Sequence, residues 1–396
     1  MGNWLSQIVA LLGFNLRTLP RRKGAAAAAA FGIAGVVAVF VGVLSIGEGF
    51  RRAMVSAGAP DRAIVLRSGA DTEMTSIMNR DDVRIVADAP GIARGGGKAL
   101  VSPELFVIIN LPKRSTGSDA NVSMRGVEQE AFLVRPEIEI VEGRPFAWGR
   151  NEVIVGRGAQ IEFSGLELGS TLEIGNAQWE VVGIFEADGG LPESEIWTDA
   201  AVLAPAYRRG ESFQSALVKL ASPGNFQTFK DALTSDPRLN VKVLRETDYY
   251  AEQSQLIYLL ITGLGTIIAT MMGVGAAFGA LNTMYTAVAS RTREIGTLKA
   301  LGFRGVPVVL SVVIESVLLA IVGGTFGAIV AWMAFDGYRA ATMNWQSFSQ
   351  VAFAFEVGPR LLANGVMYAV LIGIIGGLFP AIRAARMPIS AALREG

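Results

Sequence analysis

The sequence contains no cysteine and no histidine. Disulfides are therefore impossible, and zinc sites built on these ligands and cysteine–histidine nucleophile pairs are excluded. The 35 basic and 35 acidic residues cancel, so no overall field favours nucleic acid. No GxxxxGK[ST] phosphate loop occurs, and the run from Gly95 to Lys98 is predicted to be a turn. Any acid–base chemistry would depend on carboxylates, lysine or tyrosine.

Apolar residues are abundant. The 396 residues are 51% hydrophobic and only 18% charged, with a mean hydropathy of +0.41. A membrane-spanning helix needs about 20 mostly apolar residues, and four stretches meet this requirement: 24–47, 256–289, 306–335 and 361–382. The first stretch is far longer than the roughly 7–15 residues of a signal-peptide core, which favours a span over a cleaved signal.

Basic residues gather in three segments of the chain. They precede the first span (1–23), lie between the second and third (290–305), and follow the fourth (383–396). Four spans place all three segments on one side, which the positive-inside rule assigns to the cytoplasm. We therefore predict a multi-pass membrane protein with both termini inside, and with residues 48–255 and the short loop 336–360 on the opposite side of the membrane. Residues 1–23 are predicted to form an amphipathic interfacial helix, with a flexible leader as the alternative.

The segment 48–255 is predicted to be a folded domain of mixed α+β structure. Strand patterns alternate with helical ones, and Gly175-Asn176 between two strands predicts a hairpin turn. Strands are predicted at 63–66, 99–110, 122–127, 152–155, 171–174, 178–185, 216–220 and 241–244, and helices at 80–89 and 225–234. Residues 202–245 follow a strand–helix–strand order and are predicted to form a second subdomain. The fold class is thus an α+β membrane protein, with four transmembrane helices and a large mixed domain inserted between the first and second.

No glycine or proline occurs between Arg245 and Thr262. A helix that begins near Glu246 is therefore expected to continue into the second span, in preference to a linker followed by a separate span.

The segment 290–303, SRTREIGTLKALGF, is basic and amphipathic between two apolar runs. It must emerge from the hydrocarbon, and its helical pattern predicts a docking surface. The candidate coupling residues are Arg291, Thr292, Arg293, Glu294, Ile295, Gly296, Leu298, Lys299, Ala300, Leu301 and Gly302.

Glu315 is the one acidic residue well inside a predicted span. Placing a carboxylate inside the membrane costs free energy, so Glu315 is either a functional group or a hydrogen-bonded carboxyl that helps two helices pack. The packing role is favoured because no second charge accompanies it within the spans. Small residues at four-residue spacing predict close helix packing. These pairs are Gly275 and Gly279, Gly323 and Gly327, and Gly373 and Gly377. Asp188, Glu193 and Glu195 are predicted to lie in a solvated loop.

The 290–303 run, the following span with Glu315 and Gly323-Gly324, and the closing segment 378–394 resemble the permease domain of FtsX/MacB/LolC-type ABC transporters. Residues 81–92, 142–146, 152–156 and 179–185 resemble that family's periplasmic core in the expected order. The resemblance covers nearly the whole chain. It implies that the protein lies in the cell inner membrane, with residues 48–255 and 336–360 in the periplasm. It implies that two permeases pair and that each docks a cytoplasmic ATPase on the 290–303 segment.

The resemblance also implies that ATP and Mg are bound by the ATPase, which is expected on a separate chain, and that this chain holds no cofactor or metal. A second permease copy, membrane lipid and a periplasmic adaptor are the other expected partners, with an unlike permease as the alternative to self-pairing. Export or extraction of an amphiphile (a lipid, lipoprotein, peptide or drug) is the expected function. There are two alternatives. One is a signalling permease that activates a cell-wall hydrolase. The other is a membrane-anchored enzyme, although no catalytic group is evident for it.

Overall fold

The computed structural model describes residues 23–175, 177–302, 305–344 and 348–389. The predicted interfacial helix at residues 1–23 thus lies outside the described residues apart from Lys23, as do Phe303, Arg304 and the end of the tail, 390–396. The chain forms two units. Among the described residues, those within 23–48, 260–338 and 355–389 form a helical unit, and those within 49–259 and 339–354 form a sheet unit.

Four long apolar helices dominate the described chain. In chain order, the helices are α1 (Lys23–Ser56), α2 (Arg80–Ala87), α3 (Ala131–Val134), α4 (Arg157–Glu162), α5 (Ala200–Ala206), α6 (Phe226–Thr234), α7 (Glu246–Ala289), α8 (Thr292–Ala300), α9 (Gly305–Phe335) and α10 (Pro359–Arg386). Helices α1, α7, α9 and α10 are each long and apolar enough to cross a membrane. The four predicted apolar helices are therefore confirmed, and α1 and α7 extend beyond the predicted spans.

Glycines allow close contact between three of the long helices. A Cβ atom at Gly323 or Gly327 of α9 would stand 2.4 or 2.2 Å from the backbone carbonyl oxygens of Ala30 and Ala34 in α1. At Gly373 of α10, a Cβ would stand 2.6 Å from the Cβ of Ala320 in α9, and Gly377 contacts Ser316 in the same way. These four predicted packing glycines lie at helix contacts. At Gly275 and Gly279 of α7, in contrast, a Cβ would meet no described atom within 4 Å, so the predicted packing role is wrong for this pair within the described unit.

This difference predicts unequal effects of one substitution at two glycines. Gly327→Leu would place side-chain atoms on the Ala34 carbonyl, and overpacking of this kind costs about 1–3 kcal/mol or more. We expect the melting temperature of the purified full chain in detergent to fall clearly for Gly327→Leu. Gly279→Leu is the matched control and should leave it nearly unchanged; an equal fall for both variants would contradict the assigned contact.

The sheet unit is built on one ten-stranded sheet. The strands are β1 (Arg62–Arg67), β2 (Met78–Asn79), β3 (Arg94–Gly95), β4 (Lys98–Ala99), β5 (Val101–Pro112), β6 (Asp119–Val127), β7 (Glu139–Gly143), β8 (Glu152–Gly156), β9 (Thr171–Ile174), β10 (Ala177–Glu186), β11 (Glu195–Asp199), β12 (Ser212–Phe213), β13 (Ser215–Lys219), β14 (Val241–Arg245), β15 (Arg339–Asn344) and β16 (Ser349–Ala354). The strand order is β14-β1-β13-β5-β6-β11-β8-β10-β7, with β9 paired to β10. Most pairs are antiparallel, and β6–β11 and β8–β10 are parallel. The predicted mixed α+β domain after the first span is confirmed.

Two large cores of described residues pack on this sheet, and a smaller one that includes Val127, Phe146 and Trp197 packs on it as well. Residues such as Val65, Val218 and Phe229 form the first large core, where α2 and α6 cover β1, β13 and β14. Met124, Trp179 and Ile196 belong to the second, on β6, β10 and β11. The segment 202–245 is divided between these two large cores: Leu203 packs in the second, whereas β13, α6 and β14 pack in the first together with β1 and α2. Strand β13 also pairs with β5, so the segment does not form a core of its own.

Local sequence signals account for several element boundaries. Asn79 and Asp82 form a reciprocal capping box at the start of α2. The predicted β9–β10 hairpin is present, with Ile174 opposite Ala177 and Gly175 at a φ of +64°, a conformation that favours glycine. Residues 336–360, predicted as a short loop, contain the β15–β16 hairpin, and this hairpin belongs to the sheet unit.

The expected continuity between the outer domain and the second span is confirmed. Helix α7 runs unbroken for 44 residues from Glu246 to Ala289. At about 1.5 Å per residue its axis is about 66 Å long.

Candidate functional site

Helix α8 forms the predicted amphipathic segment between α7 and α9. Its inward face carries Ile295, which is 7% exposed and packs in a cluster with Met284, Val308 and Ala384. Gly296 is also buried. One apolar face thus fixes α8 against the ends of the long helices in the helical unit.

The candidate coupling residues divide into three groups by exposure. Buried members are Arg291, Ile295 and Gly296, and half-buried members are Thr292, Leu298 and Lys299. Exposed members are Arg293, Glu294, Ala300, Leu301 and Gly302, together with neighbouring Thr297. We call Arg293, Glu294, Thr297, Ala300 and Leu301 the outer face of α8. Leu301 is 73% exposed, so this face presents an apolar side chain beside the charged Arg293 and Glu294.

Two cations of the segment are used internally. The Lys299 Nζ donates hydrogen bonds to the backbone carbonyls of Ala385 (2.9 Å) and Met387 (2.6 Å) at the end of α10. Such carbonyls at a helix C-terminus have no partner within the helix. Lys299 therefore anchors α8 to α10 and is not a member of the outer face.

Arg291 forms a buried ion pair with Glu315. Its Nη1 and Nη2 donate to Glu315 Oε2 and Oε1 at 3.0 and 3.1 Å, and the two residues are 7% and 5% exposed. The prediction concerned charges within the spans, and the partner of Glu315 comes from outside them: Arg291 belongs to the segment that precedes α8, 24 positions earlier in the chain. The geometry supports a packing role for Glu315: the bidentate pair ties α9 to the start of α8.

The sheet unit contains a buried charge network that sequence reasoning did not predict. Arg125 on β6 donates to Glu195 through Nε and Nη2 (2.7 Å each), and its Nη1 contacts Glu73 (2.7 Å) and Glu104 (2.6 Å). Arg135 also binds Glu104. Burial alone would raise the pKa of Glu104, but Arg135 and Arg125 hold it lower, at about 2. The carboxylate is therefore ionised at neutral pH.

The acidic cluster at 188–195 is consequently not a solvated loop. Glu195 is 2% exposed on β11 and pairs with Arg125. Glu193 is 9% exposed and accepts hydrogen bonds from the backbone N–H groups of Ala187 and Gly189. Only Asp188 of the three remains exposed, in the turn. The charges had suggested solvent exposure, but Arg125, 70 positions away in sequence, compensates Glu195.

A second part of the network joins the start of α7 to the chain just after α1. Arg62 Nε donates to Glu246 Oε2 at 2.5 Å, and Arg62 Nη2 donates to the Ala57 carbonyl at 3.0 Å. The Ala59 N–H also donates to Glu246 Oε2, at 3.0 Å. We call Arg62, Glu246 and the backbone of 57–59 the clamp. It fixes the first residue of α7 to the segment that follows α1.

Two family models match the chain. The MacB-like periplasmic core domain model matches residues 26–236, over half of the chain, and the FtsX-like permease C-terminal model matches residues 258–389. The chain belongs to the MacB/FtsX family of ABC transporter permeases. The predicted resemblance is confirmed, and with the four apolar helices it indicates an inner-membrane protein with a periplasmic domain.

Curated relatives of this permease are longer proteins. The macrolide export ATP-binding/permease protein MacB of Escherichia coli is 27% identical over 388 residues, covering 90% of this chain and 55% of the relative. The pyoverdine export ATP-binding/permease protein PvdT of Pseudomonas entomophila is 26% identical over 418 residues, covering 100% of this chain and 61% of the relative. The chain thus spans about half the length of the curated relatives it matches.

Solved structures also resemble part of the permease. The periplasmic region of MacB from Actinobacillus actinomycetemcomitans is 13% identical and covers 48% of this chain and 90% of that chain, with a TM-score of 0.36. The extracellular domain of the transporter YknZ from Gram-positive bacteria is 15% identical and covers 46% of this chain and 99% of that chain, with a TM-score of 0.34.

The sequence patterns did not predict the buried ion pairs of Arg62, Arg125 and Arg135, or the role of Glu246 in the clamp. One signal was available: Glu104 and Arg125 each stand inside otherwise apolar strand patterns. Charged residues are almost never fully buried unless they are paired, so two opposite charges in neighbouring strands could have indicated an ion pair.

Proposed function

We propose that this permease couples ATP hydrolysis by an ABC ATPase domain to movement of its sheet unit, and thereby drives export of an amphiphilic substrate. The observation that carries the proposal is the outer face of α8. Ile295, Lys299 and Arg291 hold the helix from behind, which leaves Glu294 and Leu301 presented outward on a supported element. A surface that is exposed yet rigidly backed suits the reception of force from a partner.

Helix α7 supplies the proposed mechanical link. It is a single helix from Glu246 to Ala289, close to the start of α8 at Thr292. Because the helix is unbroken, displacement at one end would be passed to the other. The clamp at Glu246 would deliver that displacement to the sheet unit through β1, on which Arg62 lies.

Partners and substrate follow from the same proposal. The ATPase domain, outside these 396 residues, would bind ATP and Mg, and α8 and both chain termini would face the cytoplasm. Two permease copies would pair, and a periplasmic adaptor could complete the export path. Two relatives are named for macrolide and pyoverdine export, which supports an amphiphile, such as a lipid, lipoprotein, peptide or drug, as the substrate class here.

A charged residue on the outer face tests this assignment. Leu301→Asp places a carboxylate where an apolar contact is proposed, and loss of a central apolar contact costs about 2 kcal/mol or more. This cost corresponds to an affinity loss of about 30-fold. In full-length permease reconstituted with its ATPase, we therefore expect permease-stimulated ATP hydrolysis to fall at least about tenfold. Membrane insertion and melting temperature should not change, because Leu301 is exposed.

Leu133→Asp is the matched control, since Leu133 is 56% exposed in the sheet unit. It should leave the stimulated ATPase rate intact. If the Leu301→Asp variant still stimulated ATP hydrolysis fully, the outer face of α8 would not be the ATPase-binding surface. Gly296 is unsuitable for this test because it is buried, so a large substituent there would disturb packing as well as docking.

A further inference from the structure

An apolar groove lies between α7 and α10 in the helical unit. It has a volume of about 600 Å³. Its walls are formed by Val274, Phe278, Tyr285, Leu371, Ile375 and Phe379. Phe278 and Phe379 are 66% and 58% exposed, so no other described part of the permease covers the groove. From Thr270 to Tyr285 it follows α7 for about 22 Å at 1.5 Å per residue, more than the roughly 15 Å thickness of one hydrocarbon leaflet.

The two ends of the groove differ chemically. At the end away from α8, the Tyr368 hydroxyl donates to the Ala269 carbonyl at 2.7 Å, so its polar group is satisfied. At the end near α8, the guanidinium of Arg383 stands 5.7 Å from the ring centroid of Tyr285. Arg383 is exposed in the last turn of α10. Among the described residues, no carboxylate forms an ion pair with Arg383.

This pattern complements an anionic phospholipid. Tyrosine and arginine at the end of a spanning helix lie at the level of the lipid head groups, and arginine binds phosphate through charge-assisted hydrogen bonds. Basic pockets between membrane helices are recognised sites for anionic head groups. An acyl chain would fill the apolar groove while the phosphate meets the guanidinium.

A second permease copy is a poorer occupant of this groove. To satisfy Arg383 it would have to bring a carboxylate to this end of the bundle. Glu315 is already paired with Arg291, and Glu48, Asp336 and Glu356 lie toward the opposite ends of the long helices. Of the described acidic residues in the helical unit, that leaves Glu294, which belongs to the outer face of α8.

We propose that the groove between α7 and α10 binds an acyl chain of an anionic glycerophospholipid from the leaflet nearest α8, and that Arg383 holds its phosphate. The site is separate from the proposed ATPase-binding face and does not depend on transport activity.

Tryptophan quenching by brominated lipid tests this site directly. Full-length permease carrying Phe278→Trp is reconstituted in phosphatidylcholine vesicles that contain increasing fractions of brominated phosphatidylglycerol or brominated phosphatidylcholine. The spectrum of the parent protein is subtracted to isolate the new tryptophan. We expect brominated phosphatidylglycerol to reach half-maximal quenching at about a fivefold lower fraction than brominated phosphatidylcholine. The native Trp332, half exposed on α9, should be quenched equally by both lipids.

Arg383→Gln in the Phe278→Trp background should abolish the preference for phosphatidylglycerol. Arg386→Gln removes a neighbouring cation and should preserve it. Equal quenching by the two lipids, or a preference that survives Arg383→Gln, would overturn the proposal. Protection of the new tryptophan from both lipids would also overturn it, because a second protein copy would then occupy the groove.

Discussion

Arg125→Met should strongly destabilise the sheet unit, by about 3–5 kcal/mol. The substitution removes the cation shared by Glu73, Glu104 and Glu195, each of which is at most 6% exposed. Burial alone would lower the pKa of Arg125, but Glu195, Glu73 and Glu104 raise it well above its usual value. The charge is thus permanent, and its loss leaves three buried carboxylates with too little compensation.

Thermal unfolding of the full chain, followed by the fluorescence of buried Trp179 and Trp197, measures this effect. Arg84→Met is the matched control, because Arg84 is 73% exposed and pairs with Asp81 at the surface; such pairs contribute about 0–1 kcal/mol. If Arg125→Met unfolded at the same temperature as Arg84→Met, the network would not stabilise the fold as argued.

The network also predicts a direction for pH dependence. The pKa of Glu104 is lowered from 4.5 to about 2 in the folded chain. A carboxyl with a depressed folded pKa binds protons more readily when unfolded. Its contribution to stability is therefore complete above the unfolded pKa of 4.5 and is lost as the pH falls towards 2.

Glu246→Gln should separate ATP hydrolysis from transport. The carboxylate of Glu246 receives the Arg62 Nε at 2.5 Å and the Ala59 N–H at 3.0 Å, so it holds the first residue of α7 to the chain after α1. Glutamine keeps an acceptor of similar size but removes the charge that binds Arg62. We expect ATPase binding and stimulation through α8 to persist, while substrate export per ATP hydrolysed falls at least about tenfold. Breaking a buried charge pair costs about 3–5 kcal/mol, which is large enough for such a fall.

Glu252→Gln provides the matched control on the same helix. Glu252 is exposed, nearly two turns further along α7, and its substitution should leave the export-to-hydrolysis ratio unchanged. If Glu246→Gln reduced ATPase stimulation and export in equal proportion, or reduced neither, the clamp would not transmit force from α7 to the sheet unit.

Local sequence patterns predicted the elements of this fold well. Long apolar runs gave four helices, and the absence of glycine and proline after Arg245 gave the unbroken α7. The predicted strand 171–174, which ends at the Gly175 turn, agrees with the structure to the residue. The other predicted strands overlap observed strands whose bounds differ by one to three residues. Strands β7 and β11 were missed because each is five residues long and carries acidic residues, which lowered the strand signal.

The sequence patterns did not predict which charged residues, distant in sequence, form ion pairs with each other. Arg291 was assigned to a docking surface because its neighbours are charged, yet its side chain turns inward to Glu315. Glu195 is predicted to lie in a loop because Gly189, Gly190 and Pro192 precede it, whereas its burial depends on Arg125, which lies on another strand. Hydrophobic periodicity indicates which face of a helix or strand is apolar, but it does not indicate which distant charge will compensate a buried one.

Site-specific crosslinking from α8 tests the central claim most directly, and the absence of native cysteine makes it straightforward. Thr297→Cys introduces a single thiol on the outer face of α8, and Tyr338→Cys introduces one on an exposed position near the other end of α9. Each full-length variant is labelled with a photoactivatable maleimide in membranes that contain its ABC ATPase. The coupling account predicts a permease–ATPase adduct from Thr297→Cys and none from Tyr338→Cys. An adduct from Tyr338→Cys alone, or no adduct from Thr297→Cys in a complex that still co-purifies, would contradict it.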